Sequence, residues 1–144
     1  MRFRFALYAA LFLSTLTPSA FAQYRDQYQW GRPRPPRVGA CFYKEPDFRG
    51  DYFCLKLGEN WSSMPPGFND RISSIRLFRD AKVRIFNDPD FRGVNTRIRR
   101  NVNDLRRFRL PTDPSRTWND RISSIAVHRS NDDWDRGHPD RERP

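Results

Sequence analysis

Six residues, Asn69-Asp70-Arg71-Ile72-Ser73-Ser74, recur unchanged as Asn119-Asp120-Arg121-Ile122-Ser123-Ser124. Each copy opens with an amide and a carboxylate and closes with two hydroxyls behind one apolar residue. Loops so rich in oxygen donors suit a hard cation such as calcium, which takes about six to eight oxygen ligands. The other reading is a turn held by Ser and Asx side chains that recurs only because the chain is duplicated. A second echo precedes each copy. Tyr43-Lys44-Glu45-Pro46-Asp47-Phe48-Arg49-Gly50 matches Phe86-Asn87-Asp88-Pro89-Asp90-Phe91-Arg92-Gly93 at five of eight positions. The chain is built from two homologous units, and function is to be sought in what they share.

The elements that position these loops are strands. Ile75 and Leu77, Val83 and Ile85, Ile125 and Val127 alternate with polar neighbours, the period of a half-buried strand. Each unit reads as a strand (40–44, then 82–86), a tight turn ending in Gly50 or Gly93, a second strand, a longer connection, the hexapeptide and a last strand (74–78, then 124–128). Pro46-Asp47 and Pro89-Asp90 bend the turns, and the glycines supply a backbone conformation that a side chain would hinder. Residues 102–108 could make one irregular helical turn. Only residues 79–81 separate the units, too few for a linker, so both share one all-β core of two packed sheets. From Gly50 to Asn69 the chain advances 19 positions, and from Gly93 to Asn119 it advances 26. The excess falls in Leu110-Pro111-Thr112-Asp113-Pro114-Ser115-Arg116, a proline-punctuated surface loop.

The ends are not part of that fold. Arg2 and Arg4, an apolar run over residues 5–16 and Ala20-Phe21-Ala22 read as a signal peptide, cleaved before Gln23. The run is too short to span a bilayer comfortably, and no other stretch is apolar enough to be a membrane span. The expected product is exported, periplasmic or secreted. Residues 23–38 form a Pro/Arg-rich linker, extended and poorly packed, and residues 130–144 a disordered polar tail. The core is residues 39–129, with unit one over about 39–79 and unit two over about 80–129. Cys41 and Cys54 flank the first turn; in an oxidising compartment a disulfide stapling that hairpin is the default, against a pair of buried thiols. The net charge is +10, or +8 without the two signal arginines, which favours anionic surfaces. Export argues against nucleic acid as the partner.

An aromatic residue followed by glycine seven positions later, then N-D-x-x-S-S, each occurring twice in the same order, resembles the βγ-crystallin Greek-key motif in its calcium-binding microbial form. The resemblance spans residues 39–129 and implies a sandwich of two four-stranded sheets with both hexapeptide loops at one end. It implies a paired calcium site holding two ions: hydroxyls of Ser73 and Ser123, carboxylates of Asp70 and Asp120, and backbone carbonyls near Arg71 and Arg121. Further carbonyls come from the turns near Glu45 and Asp88, while Asn69 and Asn119 shape the loops or bind through water. Tyr43, Gly50, Ser74, Phe86, Gly93 and Ser124 are the structural positions of the motif, with Ile72 and Ile122 pointing inward. Two carboxylates serving two ions in a basic protein predict modest affinity, roughly 10⁻⁵–10⁻³ M.

The segment Ala40-Cys41-Phe42-Tyr43…Phe53-Cys54-Leu55 also resembles exported bacterial relatives grouped with βγ-type metalloproteinase inhibitors, which implies a protease as an alternative partner. Residues 110–116 could then provide a rigid reactive loop. The arginines 97, 99, 100, 106, 107 and 109 could dock an anionic envelope polymer or simply form a solvated strand face. Trp61 and Trp118 read as packing residues near the hexapeptides, whereas Trp30, Trp134, His128 and His138 have no assigned role. No His-based metal site, catalytic pair or other constellation for catalysis is visible, so the expectation is a binding or structural domain with no enzymatic activity.

Overall fold

Val83, Ile85, Ile98, Ile125 and Val127 all point to one side of their strands and lie 0–1% exposed in the hydrophobic core. They are met by Phe42, Leu55 and Ile75 from a second layer. The computed structural model describes residues 30–129, so the expected signal peptide, residues 23–29 and the tail 130–144 lie outside the described residues. Seven strands are described: β1 (Gly39–Glu45), β2 (Arg49–Lys56), β3 (Asn60–Trp61), β4 (Ser74–Phe78), β5 (Ala81–Asp88), β6 (Arg92–Ile98) and β7 (Ser124–Arg129). They form an antiparallel sheet of order β2-β1-β4 and another of order β3-β7-β5-β6. No helix among the described residues is long and apolar enough to cross a membrane.

Strand β3 leaves its own unit and pairs with β7, Trp61 opposite Ile125. This exchange is a Greek-key crossing, and it ties the two units into one core. Its counterpart in unit two is reduced to Val102, which bridges Ile75 of β4 through bonds of 2.8 and 2.9 Å. The side chain before each crossing residue completes the edge. Asn60 Oδ1 accepts from Val127 N at 3.0 Å, and Asn101 Oδ1 accepts from Leu77 N at 2.8 Å. The first sheet therefore has three strands and one bridged residue rather than four full strands. The sequence after Val102 turns at Asp104, whose carboxylate caps the 3-10 turn Leu105–Arg107 by accepting from Arg106 N at 3.0 Å.

The repeated turn residues act as one device in each unit. Pro46-Asp47-Phe48 and Pro89-Asp90-Phe91 put Asp and Phe at φ of 56–58°, a region costly for a bulky side chain. The strain is offset by a buried serine. Ser74 Oγ donates to Glu45 O at 2.7 Å and accepts from Phe48 N at 3.1 Å. Ser124 Oγ repeats this with Asp88 O at 2.7 Å and Phe91 N at 3.2 Å. Tyr43 and Phe86 pack edge-on against Phe48 and Phe91 from below the turn. Gly50 and Gly93 follow at φ 74°, where a Cβ would crowd the Glu45 side chain in one unit and collide with those of Asn87 and Asp88 in the other. Ser74→Ala or Ser124→Ala strands two backbone groups at once. Each is expected to cost about 1–3 kcal/mol in urea denaturation, with Ser→Thr unable to rescue a site that is 0% exposed.

Residues 30–38 pack more closely than a linker. Gly31 and Tyr52 exchange backbone bonds of 3.2 and 2.8 Å, extending the first sheet beyond β2. Tyr52 Oη donates to Pro33 O at 2.8 Å. Trp30 stacks on Phe68 at 4.8 Å and donates its indole N–H to Gly67 O at 2.7 Å. Residues 30–38 are thus held on the fold by an aromatic anchor and one bridge, although this arginine-bearing strap is otherwise open. The disulfide joins Cys41 and Cys54, which are direct partners in the β1–β2 register.

Candidate metal centre

Both hexapeptide loops emerge at one end of the sandwich, the first leading into β4 beside β1 and the second into β7 beside β5. Ile72 and Ile122 anchor them in the core at 0% and 1% exposure. The backbone N–H groups of Ser73 and Ser123 donate to Tyr43 O and Phe86 O, both at 2.9 Å. Their carbonyls accept from Leu105 N and Met64 N. The loops touch directly, Asp120 N donating to Ile72 O at 3.2 Å. Asp70 and Asp120 take φ of 52° and 53°, a region that Asp tolerates better than most residues. In each loop the preceding amide holds the carboxylate: Asn69 Nδ2 donates to Asp70 Oδ2 at 2.9 Å and Asn119 Nδ2 to Asp120 Oδ2 at 2.7 Å.

Asp70, Asp120 and Ser123 line a cleft of about 240 Å³ together with Asn87, Leu110, Arg116 and Arg121. Asp120 keeps part of its surface in water, yet its carboxyl is shifted above the usual aspartate range. Desolvation is the main cause and the Asp70 charge adds to it, against the Asn119 hydrogen bond and Arg71. A neighbouring carboxylate that disfavours the charged form of Asp120 also favours a cation between the two. Arg116 and Arg121 oppose this, since a guanidinium at the rim competes for the same negative charge. Among the described residues no three His, Cys, Asp or Glu side chains converge. Any cation here would rely on amide, hydroxyl and backbone oxygens for most of its shell.

Neutral oxygens for that shell are present. Asn87 Oδ1 and Asn119 Oδ1 are buried and meet no hydrogen-bond donor among the described residues. An amide oxygen left without a donor suits a hard ion, so the residues present fit calcium. Asn87 is the residue that the sequence reading passed over. Its signal was the mismatch with Lys44 in the otherwise matching turns, an oxygen donor in unit two where unit one has an ammonium. Ser73 is 8% exposed and does not line the cleft. The carbonyls of Glu45 and Asp88 each already accept one bond, from Ser74 and Ser124. Of the basic run, Arg106 and Arg107 reach Asp104 at 2.8 and 3.6 Å, so two of its six charges serve a local carboxylate.

The comparisons with known proteins bear on the fold. A solved domain from work on the evolution of the eye lens βγ-crystallin fold is 28% identical, covering 69% of this chain and 94% of its own, with a TM-score of 0.53. The chain has a βγ-crystallin fold. The Flavobacterium johnsoniae βγ-crystallin domain is 24% identical over 65% of this chain and 97% of its own, with a TM-score of 0.52. The βγ-crystallin domain of the Abundant Perithecial Protein from Neurospora crassa, solved in its Ca²⁺-bound form, is 19% identical over 69% and 98%, with the same TM-score. A family model described as peptidase inhibitor family I36 matches residues 32–98. No curated protein matches the chain.

Proposed function

We propose that this βγ-crystallin domain is an exported calcium-binding module with a structural or envelope role and no catalysis of its own. The observation that carries the reading is the convergence of Asp70, Asp120, Ser123 and Asn87 on one cleft, with the Asn87 amide oxygen lacking a donor. The Ca²⁺-bound Neurospora domain supports it by fold alone. Asp70, Asp120, Ser123 and Asn87 would hold the better-formed site. Ser73 and the carbonyls near Arg71, Arg121, Glu45 and Asp88 would serve a second, weaker one. Lys44 stands there in place of Asn87, so the two ions bind unequally. The disulfide and the inhibitor-family match support an extracellular setting.

Calorimetric titration with calcium is the test. Binding heat is expected with dissociation constants in roughly the 10⁻⁵–10⁻³ M range. Ser123→Arg is expected to abolish the tighter phase, and Ser73→Arg only the weaker one. Affinity should fall as the pH drops through the raised Asp120 value, because proton and cation compete for one carboxylate. A heatless titration of the native chain refutes the assignment.

The match over residues 32–98 favours a second reading, inhibition of a protease. The matched span holds the disulfide-bonded hairpin and leaves out residues 110–116. An inhibitory surface would therefore lie on unit one or on the β5–β6 hairpin of unit two and not on the loop that the sequence suggested. Lack of inhibition of secreted metalloproteinases at micromolar protein removes it.

A further inference from the structure

The proline-punctuated loop that lengthens unit two ends beside the cleft and brings a cation to it. Asp113-Pro114-Ser115-Arg116 is a turn closed by Arg116 N donating to Asp113 O at 3.0 Å, with proline at the position such turns favour. Leu110 N donates to Arg116 O at 3.1 Å, Arg109 bridges to Thr117, and the Leu110 side chain is buried. The base of the loop is thereby fixed, with Arg116 lining the cleft opposite the hexapeptides. Arg121 of the second hexapeptide lines it too. Neither guanidinium makes an ion pair or a hydrogen bond among the described residues. Both act on Asp113, but that carboxylate is already engaged by Ser115 N and Oγ at 3.0 and 2.6 Å.

Asp70 and Asp120 likewise form no ion pair among the described residues; their partners are the amides of Asn69 and Asn119. One cleft is therefore lined by two carboxylates and two guanidinia that do not close on one another. Left apart, both kinds of group keep their hydrogen-bonding positions for something else. The lining charges cancel, so a calcium ion on the carboxylates adds two positive charges that nothing in the lining offsets. At about 240 Å³ the cleft is also larger than a single ion fills. Charge and room both call for an anion beside the cation.

We propose that the cleft binds a phosphate dianion together with calcium, Arg116 and Arg121 holding the phosphate. The inference rests on the calcium reading and adds the ligand that completes it. A phosphate monoester near neutral pH carries a charge of about −2 and three strong acceptor oxygens. That matches the two charges of the ion and the two guanidinium forks, each of which can bond bidentately to phosphate. A carboxylate has half the charge and only two oxygens, so it leaves one fork unmet. The arginines then have two opposite effects: alone they repel the cation, and with phosphate bound they strengthen its hold. Linkage requires phosphate to tighten calcium by the same factor as calcium tightens phosphate.

Calorimetric calcium titrations of the full chain, in plain buffer and in excess glycerol phosphate, test this beside Arg116→Gln and Arg121→Gln. In the native chain glycerol phosphate is expected to tighten calcium on the order of tenfold. Each variant is expected to bind calcium a few-fold tighter than the native chain in buffer and more weakly than it in glycerol phosphate. A merely structural role for the arginines would move both affinities the same way. Inorganic phosphate, kept below the solubility limit of its calcium salt, serves as a second probe. Tightening by it alone assigns the site to free phosphate, and tightening by both assigns it to the phosphate group itself. Calcium heat in buffer that glycerol phosphate leaves unchanged overturns the phosphate site and leaves the calcium reading standing, whereas absence of heat in both conditions overturns both. Equal tightening by acetate, or glycerol phosphate bound equally well by the chelated chain, also overturns the proposal.

Discussion

Trp118→Ala is expected to lower stability by about 3–5 kcal/mol, the range for removing a large buried aromatic. Trp118 is 0% exposed and is among the largest fully buried side chains of the core. Its backbone N–H donates to Phe108 O at 2.9 Å, which fixes the chain just before the second hexapeptide. The loss therefore has two parts, a cavity under the loop and a looser approach to Asn119 and Asp120. Trp118→Phe separates them. The indole N–H is buried without a hydrogen-bond partner among the described residues, and such an orphaned donor costs about 1–3 kcal/mol. Phenylalanine loses volume but removes that penalty, so it is expected to cost less than half as much as alanine. Urea denaturation reads both variants, and equal losses would mean that the indole nitrogen is satisfied in solution.

The second large effect is expected from the disulfide. Cys41 and Cys54 are 13 positions apart, and a bridge over so short a loop contributes about 2–4 kcal/mol, chiefly by restricting the unfolded chain. Cys41 itself is 0% exposed on the outward side of β1. Cys41→Ser/Cys54→Ser buries a hydroxyl there, whereas Cys41→Ala/Cys54→Ala does not. The alanine pair is expected to lose the bridge contribution alone and the serine pair somewhat more. Melting the native chain with and without reductant gives the same quantity independently. An unchanged midpoint under reduction would show that the hairpin is held by its backbone ladder and aromatic contacts alone.

Much of this architecture was legible because duplication repeats its physical causes. The aromatic, the turn prolines, the glycine and the last serine of the hexapeptide recur together. In space they form one turn strained at Phe48 or Phe91 and held by Ser74 or Ser124. Alternation gave the strands on either side of both turns. Val102 was not legible as a sheet edge because one bridged residue has no period. Trp30 was not legible because its partners, Phe68 and Gly67, lie 37 positions or more along the chain. The site shows the same division. The oxygen-rich loops stand out in the sequence, but Asn87 enters the cleft from the neighbouring turn, and Arg116 enters from the loop that lengthens unit two. Only the crossing of the sheets brings those segments together.

The most direct test of the central claim is thermal melting in millimolar calcium against chelator, with magnesium as the control for ionic strength. If the cleft holds calcium, mass action at about a hundredfold excess over the dissociation constant adds about 2.7 kcal/mol. For a domain of this size that is a rise of roughly ten degrees or more. Ser123→Arg should remove most of the rise while leaving the chelated midpoint nearly unchanged. Identical midpoints in calcium and chelator for the native chain would contradict the account and leave the two hexapeptides as turns that recur for structural reasons alone.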